Sequence, residues 1–359
     1  MDEKIRRLLN WFNGRKDFPY TLDINPTDKC NLKCKHCWQR AFKHIDSSYE
    51  ISDKVWIKRI KEALNIRVKE FEITGGGEPL MRKDLTLKLI EIVKKGNTFG
   101  NITTNGTLFD EEDFKKLIKV RWDRITFSIE GPDKVSNDFI RGKGTFEKVM
   151  ANLKILNKLK KRYKSKKPIV KFNVTVNIKN YDKLTKFIIL ARKVNCSIVH
   201  FDSLTVFTPL GKKLKLKTKH FKKFEEEAKR AQTLAKRLGI WTDIGDLTTN
   251  FLKQSNQMES ILKNENKNDL NDFSLICYEP WWHLVIKTNG FAQPCCLYDE
   301  KVENIKSKSL KQIWFSKYFE EIRENIKNKK LPKFCSICNA GQVFENRRIR
   351  GELNKWMKK

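Results

Sequence analysis

Cys30, Cys34 and Cys37 place three thiols within eight residues. They follow an alternating apolar run, Tyr20 to Ile24, that reads as a β-strand. Pro26, Thr27, Asp28, Lys29 and Asn31 are turn formers, so the thiols sit on a loop leaving the carboxyl end of that strand. Three thiols on one loop can converge on one face of a metal cluster. A tetrahedral zinc site calls for a fourth ligand and a more symmetric pairing. A cubane iron–sulfur cluster takes four thiolates, so three leave one iron open to a substrate. The plainer alternative is a zinc knuckle that borrows His36 or a distant cysteine.

A second cysteine group lies near the other end of the chain. Cys277 precedes an apolar run, Trp281 to Ile286; Lys287 to Gly290 is a turn, and Phe291 to Cys295 returns. That pattern predicts a β-hairpin with Cys277 and Cys295 close at its open end. Lys308 to Asn325 reads as one amphipathic helix, and Cys335-Ser336-Ile337-Cys338 follows Pro332. Four thiolates complete a closed site, zinc or iron–sulfur by ligand count alone.

The spacing C-x3-C-x2-C, with His36 between the second and third cysteines, resembles the signature of the radical S-adenosylmethionine (SAM) superfamily, where an aromatic residue usually stands at the place of His36. The resemblance implies a [4Fe–4S] cluster held by Cys30, Cys34 and Cys37, with SAM on the fourth iron. After the short strand Phe71 to Thr74 comes a glycine-rich turn, whose commonest role is a turn and whose open backbone can also approach a ligand. Gly76, Gly77 and Glu78 match the family's GGE motif, which holds the amino group of SAM. Ser128 and Glu130, on the fourth strand, match a polar pair near the SAM ribose and carboxylate. Arg141-Gly142 resembles a segment whose arginine pairs with that carboxylate; a surface salt bridge is the alternative. Asn105 ends the third strand and joins His36 in this cofactor-binding set. Asn173, Thr175 and Asn177 share one face of the fifth strand, either aimed at SAM or forming a polar structural face.

Strand, loop and helix recur from the first cysteines onward, as parallel βα units do. Strands are expected at Phe99–Thr103, 123–129, 169–178 and 197–203, and helices at 52–64, 84–95, 110–119, 145–159, 183–194 and 218–238. Six units match the partial (β/α)6 barrel, of TIM type, of the radical SAM core, with its site at the carboxyl ends of the strands. Cys277-x12-Gly290-x4-Cys295 resembles the opening of the SPASM domain that trails many such enzymes. Further SPASM cysteines are missing after Cys338, so the shorter twitch form is implied: a small α+β domain whose one auxiliary [4Fe–4S] cluster is held by Cys277, Cys295, Cys335 and Cys338. Cys296 is a bystander of the Pro-Cys-Cys turn, or exchanges ligation with Cys295. Cys196 reads as a small buried apolar residue. The expected divisions are an N-terminal amphipathic helix (1–17), the barrel (18–240), a polar linker (241–276), the auxiliary domain (277–343) and a basic tail (344–359).

With 39% apolar residues over 359, the chain can bury a substantial core. No apolar run approaches the roughly 20 residues of a membrane-spanning helix, and the charged start is no secretory signal. A cytoplasmic, anaerobic protein is expected, and the nine cysteines are not a disulfide framework. The formal charge of +32 suits a nucleic acid or an anionic membrane surface, yet lysine interleaved with glutamate also makes an ordinary solvated surface. The resemblance implies a radical SAM oxidoreductase, reduced by a donor such as a ferredoxin or flavodoxin. It would cleave SAM to methionine and a 5′-deoxyadenosyl radical that takes hydrogen from a substrate. One auxiliary cluster suits an oxidation or cross-link, of the peptide-maturase or dehydrogenase type, on a peptide or small molecule. Modification of RNA or of an anionic lipid or phosphate-bearing precursor is the alternative, and a non-catalytic zinc scaffold is the third.

Overall fold

Val170, Phe172, Val174 and Val176 are buried while Lys171, Asn173 and Thr175 between them are only partly so, and this alternation gives the sheet its two faces. The computed structural model describes residues 2–41, 49–245, 247, 277–332, 335, 338 and 340–357. The helix α1 (Glu3–Phe12) precedes β1 (Thr21–Ile24), α2 (Asp53–Asn65), β2 (Glu70–Ile73), α3 (Lys83–Lys95), β3 (Phe99–Thr104) and α4 (Glu111–Lys119). Then come β4 (Arg124–Ser128), α5 (Lys134–Arg141), α6 (Thr145–Arg162), β5 (Ile169–Val176), α7 (Leu184–Lys193), β6 (Ile198–Ser203), α8 (Pro209–Leu214), α9 (Thr218–Leu238) and β7 (Trp241–Thr242). The chain ends with α10 (Glu279–Trp282), β8 (His283–Ile286), β9 (Ala292–Gln293), α11 (Leu310–Trp314), α12 (Lys317–Lys327) and α13 (Ala340–Met357).

The sheet order is β7-β6-β5-β4-β3-β2-β1-β8-β9, parallel throughout except for the β8–β9 hairpin. This is the expected mostly parallel α/β architecture, a partial barrel with a C-terminal part. Its outer face packs under helices, with Trp56, Trp122, Phe114, Phe127 and Phe187 fully buried. Each such side chain contributes about 1.5–3 kcal/mol by leaving water. The inner face is polar. Asn101 Nδ2 donates to Glu72 Oε2 (2.5 Å), and Arg124 meets Glu72 Oε1 (2.9 Å) and Asn101 Oδ1 (3.0 Å). A closed barrel fills with apolar layers; this one keeps buried charge, here paired across neighbouring strands.

Several expectations change. Trp241 and Thr242, expected to begin the linker, form β7 on β6, because Gly239 ends α9 in a left-handed turn (φ 67°) and buried Ile240 draws the chain back to the sheet. The rest of the proposed linker lies almost wholly outside the described residues. The stretch expected to be a basic tail belongs to α13, since Ile349 and Leu353, four apart, bury one side of it in the apolar cluster that holds Ile5 and Leu8 of α1. The single helix expected over 308–325 is two, because Ser316 restarts the chain by accepting from Phe319 N–H. Helices α5 and α8 were not foreseen. The hairpin does not stand apart: β8 pairs in parallel with β1, Thr21 opposite His283 and Ile24 opposite Ile286.

Candidate active site

The cysteine loop leaves β1 and is tied down on all sides. Asn25 N–H donates to Ile286 O (3.0 Å), Asp28 N–H and Thr27 Oγ1 to Glu50 Oε1 (3.1 and 2.7 Å), and Gln39 Nε2 to Asp28 O (2.9 Å). Lys35 N–H donates to Ile140 O (2.9 Å), fastening the loop to α5. Asn31 donates to Thr107 Oγ1 and accepts from Asn105 Nδ2, both at 2.8 Å. Cys34 is buried, Cys37 partly so, and Cys30 open. Partial burial pushes the Cys30 thiol up, and the charges of Glu78, Cys34 and Cys37 add to the shift.

The glycine turn serves this loop first. A Cβ on Gly76 would stand 1.6 Å from Asp28 Oδ1, and one on Gly77 would stand 2.0 Å from Lys29 O. Gly77 N–H and Glu78 N–H donate to Thr27 O (2.9 Å) and Lys29 O (2.8 Å). The turn therefore seats the cysteine loop, beyond any contact with a ligand. Glu78 is buried, its carboxylate accepting from Thr104 Oγ1 (2.7 Å), Asn105 N–H (2.6 Å) and Leu80 N–H (3.3 Å). Burial raises its pKa while those three bonds oppose the rise. About one acceptor position is left for a ligand.

Glu130, just past β4, gathers the other side. Its Oε1 lies 3.4 Å from Arg141 Nη1 and 3.5 Å from His36 Nε2, and its Oε2 accepts from Thr175 N–H (3.1 Å). Asn137 accepts from its N–H (3.0 Å) and Asn180 donates to its carbonyl (3.0 Å). Burial works against the Arg141 charge, but Cys34, Glu130, Glu78 and Cys30 outweigh it and raise its pKa. Burial lowers the His36 pKa against the pull of Glu130. Arg141 Nε and His36 Nδ1 are buried without a partner, a cost of about 1–3 kcal/mol each; a ligand's acceptor can satisfy the guanidinium N–H, and a ligand's donor the imidazole nitrogen left bare when Nε2 carries the proton toward Glu130. Three thiols on one loop beside an unsatisfied guanidinium fit, by the chemistry of their donor set, an iron–sulfur cluster carrying a carboxylate-bearing ligand.

Cys30, Cys34, Cys37, His36, Glu78, Asn105, Glu130, Arg141 and Thr175 thus form one connected set. Ser128 and Asn173 are opposite one another in register and make no side-chain hydrogen bond among the described residues. Asp28 and Asn31 read from sequence only as turn formers, and Asn137 of α5 and Asn180 escape that reading, because nothing in a local pattern marks which polar side chain will be buried against a partner.

The second thiol group forms at the amino-terminal end of β8. Burial pushes Cys277 well above the ordinary thiol range, with Glu279, Cys338 and Cys295 adding to it. Burial likewise raises Cys295 to about 12 and Cys335 to about 11. Such thiols keep their protons unless a metal's charge lies beside them, which suits ligands of a cluster. Among the described residues no three His, Cys, Asp or Glu side chains gather tightly enough for one metal ion. Cys296 is exposed, and its carbonyl accepts from Lys287 Nζ (2.7 Å). Cys196 is buried as expected, its Sγ donating to Ile198 O (3.1 Å).

Comparison with known proteins bears on both groups. The model of the radical SAM superfamily matches residues 24–188, and that of the SPASM iron–sulfur cluster-binding domain matches 277–339. An AdoMet-dependent heme synthase of Methanosarcina barkeri is 30% identical over 172 residues, 47% of this chain and 46% of that protein. Mycofactocin maturase MftC of Mycolicibacterium smegmatis is 28% identical over 191 residues, 53% of this chain and 46% of that one. The matched stretch spans less than half of either relative. The crystal structure of Streptococcus suis SuiB bound to its precursor peptide SuiA shares the fold with a TM-score of 0.66 at 18% identity, covering 93% of this chain and 74% of that one.

Proposed function

The chain belongs to the radical SAM superfamily and carries a SPASM-type iron–sulfur cluster-binding domain, and from that premise we propose that it oxidises or cross-links a peptide or small molecule. Cys30, Cys34 and Cys37 would hold the SAM-binding [4Fe–4S] cluster, and Cys277, Cys295, Cys335 and Cys338 one auxiliary cluster. When bound, the first cluster with SAM would supply radical chemistry able to take hydrogen from an unactivated C–H bond. Glu130, Arg141, His36 and Glu78 orient the charged end of SAM, and the polar inner face of the barrel positions the substrate and excludes water.

One observation carries this reading: β8 is hydrogen-bonded along the whole of β1. The cysteine loop leaves one end of that strand pair and the auxiliary thiols lie by the other. Four residues at about 3.3 Å each separate those ends by roughly 13 Å. We place the substrate inside the barrel, between the two sites, so that an electron taken from it has a receiver. A ferredoxin or flavodoxin is the donor we assign. The names of the maturase and of the peptide-bound neighbour support a peptide substrate. Among the described residues no helix is long and apolar enough to cross a membrane.

Anaerobic reconstitution, iron counting and assay of 5′-deoxyadenosine with dithionite test the reading. Iron at both groups and cleavage of SAM are expected, followed by deuterium transfer from the true substrate. A chain that binds no iron at Cys30, Cys34 and Cys37, or that leaves SAM intact, overturns it.

A further inference from the structure

Exposed apolar side chains collect at the mouth of the barrel, on the loops and helices that follow the strands. Val135 on α5 is 80% exposed, and Phe139, one turn further on, is 40% exposed. Val206 and Phe207, ahead of α8, and Leu210 within it are exposed to 37–39%. Two contacts link these residues along one rim. Lys179, in the turn after β5, reaches the Phe139 ring (4.7 Å), and its neighbour Ile178 donates to Leu214 O in α8 (3.0 Å). On the other side Lys35 of the cysteine loop covers the same ring at 3.5 Å.

The rim is cationic as well as apolar. Among the described residues, Lys35, Lys143, Lys179, Lys212 and Lys213 have no carboxylate partner. The nearby acids are occupied within the fold. Asp133 caps α5 through Ser136 N–H (2.8 Å) and pairs with Lys183; Asp138 accepts from Gly144 and Phe146 N–H (2.7 and 2.9 Å). Asp182 pairs with Lys223 (3.0 Å). Unpaired lysines therefore surround aliphatic tips directly beside the opening to Cys30, Cys34 and Cys37.

We propose that this rim docks the barrel mouth on an anionic phospholipid surface. Aliphatic tips enter the head-group boundary while lysine stems lie along it with their ammonium groups on lipid phosphates. A single-stranded nucleic acid fits less well: it needs a run of open aromatic faces to stack on, and of the five apolar rim residues Phe207 alone offers one, since Phe139 is covered by two ammonium groups and Val135, Val206 and Leu210 are aliphatic. A second copy of the chain would bring the same positive charge against itself. The docking stands independently of which bond the radical attacks.

Flotation of the full chain with vesicles of equimolar phosphatidylglycerol and phosphatidylcholine tests the proposal, against phosphatidylcholine alone. The chain should float with the anionic vesicles and be released near 0.5 M salt, where the screening length falls to roughly 4 Å. Val135→Asp with Phe207→Asp should weaken binding about tenfold or more. Lys212→Gln with Lys213→Gln should weaken it about fivefold per lysine. Lys158→Gln with Lys161→Gln, the same charge removed from the far end of α6, should leave it nearly unchanged. All six positions are exposed, and an unaltered melting temperature shows that each variant is folded. No flotation, equal losses in the two lysine pairs, or undiminished binding by the aspartate pair would each overturn the docking. RNA binding that survives the aspartate pair, with no flotation, would give the lysines to nucleic acid instead.

Discussion

Arg141 and Glu130 form a buried pair at the mouth of the barrel, Nη1 3.4 Å from Oε1, between the cysteine loop and β5. The pair joins three segments that are remote in sequence, and each charge depends on the other. Removing one partner leaves a buried, uncompensated charge, which costs about 3–5 kcal/mol. Arg141→Met should lower unfolding stability by about that amount. Adding Glu130→Gln should recover much of it, and urea denaturation of the double-mutant cycle measures the coupling. Strict additivity would show that the two residues act separately.

The two thiol groups should separate on mutation. Cys34→Ala should abolish 5′-deoxyadenosine formation, because it removes a ligand of the SAM-binding cluster. Cys338→Ala should spare some uncoupled cleavage while losing product. Chromatography of the nucleoside, with iron per chain, distinguishes these outcomes; equal loss in both variants would assign the second group more than an electron-receiving role.

Gly76→Ala tests the close seating of the cysteine loop. A methyl group there meets Asp28 1.6 Å away, so the loop or the turn must move. Overpacking of this kind costs about 1–3 kcal/mol. Iron incorporation should fall with stability, read as iron per chain beside a urea melt. Normal iron content in a stable variant would show that the contact is slack.

Glu72 gives a pH dependence whose sign follows from its pKa. Burial raises its carboxyl to about 7, against the partly compensating charge of Arg124. The folded chain then holds a proton that the unfolded chain releases above about 4.5. Its contribution to stability is full below that pH and is lost as pH rises through 7. Glu72→Gln should flatten the decline between pH 5 and 7.5, worth on the order of 2–3 kcal/mol. Melting curves at the two pH values in both proteins provide the check.

What the chain's order of residues determined by itself is local. The spacing of Cys30, Cys34 and Cys37, the glycines before Glu78, and the alternation along β5 are all contained within a few residues. So are the strand–loop–helix repeats, because hydrophobic period and turn chemistry act over that range. Tertiary structure decided the rest. The pairing of β8 with β1 joins residues more than 250 positions apart, and no local pattern encodes which strand edge a hairpin will meet. The tie from Glu78 to the start of the Asn105 turn, the gathering of Arg141, His36 and Thr175 on Glu130, and the burial of Ile349 and Leu353 in a sequence that looks like a basic tail are of the same kind. Each depends on which surfaces the folded sheet brings together, and buried polar groups take the partners that packing leaves within reach.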